Sequence, residues 1–153
     1  MNKSELKKLI LEQGIKKQEQ IVNDFKQRIA ELQGSEKLIN ETQYDRQQAS
    51  FNGEANEQID LLVGQLAFVE EEMELLQRLN IDAPLHDSVH FGSVVETDLM
   101  TFYICVSLEE FEAGGKKYFG ISTKAPLYKE MLGKKIGDKF EFNKKTYLIK
   151  DIY

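Results

Sequence analysis

Apolar positions in the first half of the chain recur at helical spacing. Val22, Phe25, Ile29, Leu32 and Ile39 keep an a/d rhythm that is interrupted at Glu36. Ile59, Leu62, Leu66, Val69, Met73 and Leu76 repeat it. The two series predict long helices over 15–45 and 54–80, the second about 40 Å long. A shorter leading helix over 4–12 is expected to end or bend at Gly14, and Gly34 is a weak point inside the first long helix. Laid antiparallel, the series match pair by pair: Ile39 with Ile59, Leu32 with Leu66, Ile29 with Val69, Phe25 with Met73 and Val22 with Leu76. One register satisfies every pair and centres a turn near residue 49, beside the acidic stretch Ser50–Glu57. The pattern therefore predicts a long antiparallel coiled-coil hairpin with an acidic tip near 45–57. Phe51 is expected to staple the two helix ends there or to meet a partner.

The period changes after Asn80-Ile81-Asp82-Ala83-Pro84, where proline stops the helix. Beyond it, alternation predicts strands over Val89–Val95, Thr101–Ser107 and Lys117–Ser122. Pro126–Leu132 reads as a short helix with proline in its first turn and Gly133 at its C-cap. Lys139–Phe142 and Thr146–Ile152 read as a closing hairpin around Asn143-Lys144-Lys145. The expected fold class is α+β, with a helical domain over 1–83 and a small α+β domain over 84–153.

Charge divides along the same line. Residues 1–83 hold 10 Lys+Arg against 16 Asp+Glu, and residues 84–153 hold 10 of each. The excess negative charge in the helical half argues against phosphate-backbone binding as a main activity, because such binding needs clustered positive charge, and no sequence-specific DNA binding is expected. Lys16, Lys17 and Arg28 form at most a weak basic face toward RNA, and scattered lysines on such helices usually solubilise. A polar start and no long apolar run predict a cytoplasmic chain that does not enter a membrane. One cysteine, Cys105, and two histidines, His86 and His90, are too few for a disulfide framework or a usual zinc site. No nucleophile elbow accompanies the histidines, and Cys105 reads as a quiet half-buried thiol.

Val89-His90-Phe91-Gly92, Ile121-Ser122-Thr123-Lys124-Ala125-Pro126-Leu127, Met131-Leu132-Gly133-Lys134-Lys135-Ile136-Gly137-Asp138 and Ile149-Lys150-Asp151-Ile152 form a compound pattern over 88–153. It resembles the bacterial Gre family of transcript-cleavage factors, with Ala125 where that family usually has serine. The resemblance implies an N-terminal coiled coil joined to a C-terminal FKBP-like domain. It also implies a monomeric partner of RNA polymerase whose coiled coil enters the secondary channel and contacts the RNA 3′ end. Ala125, Pro126, Leu127, Gly133, Gly137 and Asp138 are then the candidate docking residues. Gly53-Glu54-Ala55-Asn56-Glu57 has the family's Gly-acid-x-x-acid spacing, with Glu54 in place of aspartate. A competing alignment sets Asn40-Glu41-Thr42-Gln43-Tyr44 on the family's Glu-Asn-Ala-Glu-Tyr run and leaves Lys37 and Asn40 at the acidic positions.

Stimulated RNA hydrolysis needs a divalent cation, and Mg²⁺ takes oxygen ligands, often one or two carboxylates plus substrate phosphate. Glu54 and Glu57, three residues apart, can share one helix face and complete a Mg²⁺ site within polymerase. Glu41 and Asp45 are the second-choice acids. In the plainer reading Asn52 caps the second helix and the two glutamates favour its positive end. The protein is expected to have no independent enzymatic activity. Three alternatives stand beside cleavage: a secondary-channel regulator that does not cleave, a coiled-coil interaction module, and a prolyl isomerase with Tyr103, Tyr118, Tyr128 and Phe119 lining an FKBP-type groove.

Overall fold

The computed structural model describes residues 2–41, 46–79 and 84–153, and of 35–41, 46–52 and 55 the backbone course alone. Helix α1 spans Lys3–Glu41 and helix α2 spans Arg46–Gln77. Strands β1 (Val94–Thr97), β2 (Thr101–Cys105), β3 (Leu108–Ala113) and β4 (Lys116–Ser122) follow, then helix α3 (Pro126–Met131) and strands β5 (Lys139–Phe142) and β6 (Lys145–Ile152). The fold class is α+β, as the change of period predicts.

A reciprocal cap starts α1. Asn2 Oδ1 accepts the Glu5 N–H at 2.8 Å, and Glu5 Oε2 accepts the Asn2 N–H at 3.1 Å. The helix then runs through both glycines that were expected to interrupt it. At Gly14 an added Cβ would lie 3.6 Å from Leu108 Cδ1, so the residue marks a close packing contact and not a break. By compactness the chain forms two units, 1–17 with 72–153 and 18–71, a division that differs in extent from the one at residue 83.

The larger unit is built on a six-stranded sheet of order β3-β4-β2-β1-β6-β5. All neighbours are antiparallel except β2 and β4, where Phe102 pairs with Phe119 and Ile104 with Ile121 in parallel. Both faces of the central strand β2 are buried. Phe102 and Ile104 join Val89, Val95, Phe140, Tyr147, Ile149 and Ile152 in a core that Leu127 and Met131 of α3 close. Tyr103 and Cys105 point to the opposite face, which the opening turns of α1 cover, with Ile10 and Leu11 buried. Gly120 sits where β4 passes under the β2–β3 connection. A Cβ there would lie 2.6 Å from Leu108 Cβ and 2.7 Å from the Val106 carbonyl oxygen, so no side chain fits.

Two strands differ from expectation. The expected Val89–Val95 strand begins only at Val94, because Gly92 at φ +88° turns the chain just before it. Strand β3 was not expected: its acidic residues Glu109, Glu110 and Glu112 have low strand propensity. At a sheet edge those same side chains face water, and Glu110 pairs with Lys117 at 2.8 Å.

In the smaller unit, Gln18, Val22 and Val69 are buried. Gln18 Nε2 donates to the Val69 carbonyl oxygen at 2.8 Å. Phe25 shares a groove with Asp60, Leu61, Gly64, Gln65, Phe68 and Val69. Arg28, Glu31 and Leu32 line a second groove with Gln58, Leu61 and Leu62. Residue numbers thus rise along α1 as they fall along α2. The pairing differs from the expected one, which set Ile29 against Val69 and Phe25 against Met73. An apolar repeat of seven residues is nearly unchanged by a one-heptad slide. That slide sets Val22 with Val69, Phe25 with Leu66, Ile29 with Leu62 and Leu32 with Ile59, which is equally apolar. The turn expected near residue 49 does not fall there: residues 46–57 lie inside α2, and 42–45 lie outside the described residues. No helix among the described residues is long and apolar enough to cross a membrane.

Candidate functional site

The acids singled out from the sequence lie along α2. Because α2 begins at Arg46, Glu54 and Glu57 fall in its third and fourth turns, roughly 12 and 16 Å from its start. Asn52 is therefore interior to the helix and does not cap it. Glu54 and Glu57 are both exposed and, at i and i+3, share a face. Two exposed carboxylates fit a cation held jointly with another molecule and are too few for a site of their own. Among the described residues no group of three or more His, Cys, Asp or Glu side chains stands close enough to hold a metal. Of the second-choice acids, Glu41 is the last residue of α1 and its side chain lies outside the described residues, as does all of Asp45. The Phe51 side chain also lies outside them.

The six candidate docking residues fall within α3 and the segments that flank it in the chain. Ala125 precedes the helix in extended conformation, Pro126 opens it, and Leu127 is buried beneath it. The segment after it is tied on both sides. Val89 N–H donates to the Lys134 carbonyl at 2.9 Å, and Gly133 N–H donates to Val89 at 3.1 Å. Gly137 N–H donates to Ile149 at 2.8 Å, and Asp138 Oδ2 accepts the Lys135 N–H at 2.9 Å. Gly133 and Gly137 hold φ of +74° and +92°, which a side chain would strain, so both turns depend on glycine. This bracing leaves Leu132 and Ile136 more than half exposed. Sequence reasoning passed over both, although an apolar residue beside each turn glycine was a visible signal. Lysines 124, 129, 135 and 139 are exposed around them.

The tyrosines proposed for a groove divide. Tyr103 and Tyr118 are core residues, whereas Phe119 and Tyr128 are partly buried against the α3 side of the core. Burial raises the Tyr103 hydroxyl above its ordinary range. Cys105 is buried too, and burial pushes its thiol up to about 12, with the Glu72 carboxylate adding to the rise. Glu72 is itself buried, and its Oε2 accepts the Ser107 N–H at 3.1 Å. His86 and His90 stack at 6.1 Å, and Ser88 Oγ lies 3.0 Å from His90 Nδ1. Burial first, then the Lys7 ammonium and His90, hold His86 below the usual histidine range.

The chain matches no protein-family model, and no curated protein matches it.

Proposed function

We propose that the protein is an RNA polymerase-binding transcription factor of the Gre type. In this reading α1 and α2 form an antiparallel coiled-coil hairpin that enters the secondary channel. The second unit is an FKBP-like domain that docks through Ala125, Pro126, Leu127, Gly133, Gly137 and Asp138. The observation that carries the reading is the reversed order of neighbours along the helices, from Gln18 with Val69 to Leu32 with Gln58. A mixed sheet with one short helix on its core face supports the second half. Leu132 and Ile136, apolar and exposed among lysines, give that domain an apolar contact with a basic surround.

The hairpin acts in one of two ways. In the first, Glu54 and Glu57 direct a polymerase-held Mg²⁺ at the RNA 3′ end and stimulate cleavage of backtracked transcripts. Their shared, exposed face fits that role. In the second, the hairpin occupies the channel without cleaving. The position of the two glutamates inside α2, about two and three turns from its start, favours this second reading. Backtracked elongation complexes distinguish them. A factor that cleaves shortens the RNA and loses that activity with Glu54→Ala and Glu57→Ala together. A factor that only occupies the channel leaves the RNA intact and binds equally with or without the two acids.

A further inference from the structure

The helical unit exposes an apolar stripe that neither helix covers. Leu61 and Phe68 stand seven residues apart on α2 and are 63% and 53% exposed. They lie apart from Leu62, Leu66 and Val69, which turn toward α1. Isolated exposed leucines are ordinary, but large side chains in register along one helix face are not. Leu61 and Phe68 stand on either side of Gly64, where a Cβ would meet nothing within 4 Å. The stripe thus has two ridges and a gap, the shape into which a knob from another helix fits. Phe25 and Val69 form the far wall beside Leu61 and Phe68, and Leu61 continues the groove toward Leu32 and Leu62. From Gln58 to Val69 it runs roughly 17 Å, about three helical turns.

Charge selects the occupant. The unit of residues 18–71 carries 4 Lys+Arg against 11 Asp+Glu, a net of −7, while the rest of the chain has a net of +1. From Gln47 to Gln77, α2 has seven acidic residues and no basic one. Asp60 lines the groove itself, and Glu57, four residues before Leu61, and Glu71, three after Phe68, fall on the same helix face as those side chains. A second copy of this helix laid across the stripe would set acid against acid, which opposes pairing. A helix with an apolar seam and basic flanks meets both features.

We infer that the groove between Phe25 and the Leu61–Gly64–Phe68 stripe is a docking site for a basic amphipathic helix of a partner protein. This goes beyond the polymerase reading, because it concerns the side of the helical unit and not its turn. The occupant inserts apolar side chains at i, i+3, i+7 over Gly64 and sets Lys or Arg beside Asp60 and Glu71.

A labelled synthetic peptide of three heptads tests the inference, with Leu at a and d, Lys at e and g and Ala elsewhere. Its binding to the full chain is read by fluorescence anisotropy. Saturable one-to-one binding is expected, with Phe68→Ser and Leu61→Ser each weakening it at least tenfold. Both side chains are more than half exposed, so circular dichroism and melting of these variants are expected to match wild type. Asp60→Asn with Glu71→Gln is expected to weaken binding several-fold and flatten its salt dependence. A peptide with Glu in place of Lys should not bind. Equal affinity of wild type and Phe68→Ser would overturn the inference and leave diffuse attraction to an acidic chain. So would a wild-type dimer in sedimentation that Phe68→Ser dissolves, since a second copy would then cover the stripe.

Discussion

Gln18 and Val69 are joined by a hydrogen bond of 2.8 Å from the Gln18 side-chain amide to the Val69 carbonyl oxygen. The link ties a residue in the middle of α1 to one late in α2 and fixes which turns of the two helices meet. Gln18 is fully buried, and its Oε1 has no partner among the described residues. The bond therefore sets register at the cost of one unsatisfied acceptor.

That arrangement gives opposite outcomes for two substitutions. Gln18→Met keeps the volume and removes the unpaired oxygen, so stability should stay within about 1 kcal/mol of wild type or rise. Gln18→Ala opens a cavity between the helices and should cost roughly 2 kcal/mol. Urea unfolding of the two variants checks this. A loss in Gln18→Met as large as in Gln18→Ala would mean that the hydrogen bond, and not the packing, dominates.

Cys105 is buried within reach of the Glu72 carboxylate of α2, with its thiol pushed up to about 12 by burial. At pH 8 the native protein should leave a thiol reagent unreacted, while the denatured chain should react within the mixing time. The rate of native labelling then reports opening of that face of the sheet. Rapid labelling without denaturant would show that the α1 cover is not closed.

Lys7 and His86 share a partly buried corner. Burial lowers Lys7 to about 8 and, with the Lys7 charge second, lowers His86 below its ordinary value. Both folded values lie below the unfolded ones, so the unfolded chain binds more protons through each window. For Lys7 the stability gained from deprotonation appears as pH rises from about 8 toward 10.5. For His86 stability falls as pH drops through the ordinary histidine range. Lys7→Met is predicted to raise the His86 pKa, read from ring-proton shifts in an NMR titration, and to raise the melting temperature at pH 7. An unmoved His86 titration would show that the two groups do not interact.

The sequence makes the class of fold visible and hides its register. The change of period at Pro84 separates helices from strands, and Phe102 and Ile104 mark the central strand by alternation alone. The helix pair is legible in Val22 through Leu76, but apolar matching is blind to a one-heptad slide. The difference matters at the candidate site, because Glu54 and Glu57 move from the expected start of the second helix into the body of α2. Strand β3 escaped notice because Glu109, Glu110 and Glu112 suit an edge and nothing else in a sheet. The α3 segment was the best read, since Pro126, Gly133 and Gly137 each answer to a backbone requirement. Leu61 and Phe68 gave no warning: in sequence they are two more apolar residues on a helix, and only their exposure sets them apart.

The proposed function stands on binding to RNA polymerase at the secondary channel. The most direct measurement titrates labelled full-length chain with core RNA polymerase from the source organism and follows anisotropy. An unlabelled cleavage factor known to occupy that channel is then added. The account predicts saturable binding that the competitor displaces fully, with the Glu54→Ala, Glu57→Ala chain behaving like wild type. Absence of binding, or binding that the competitor leaves in place, would contradict it.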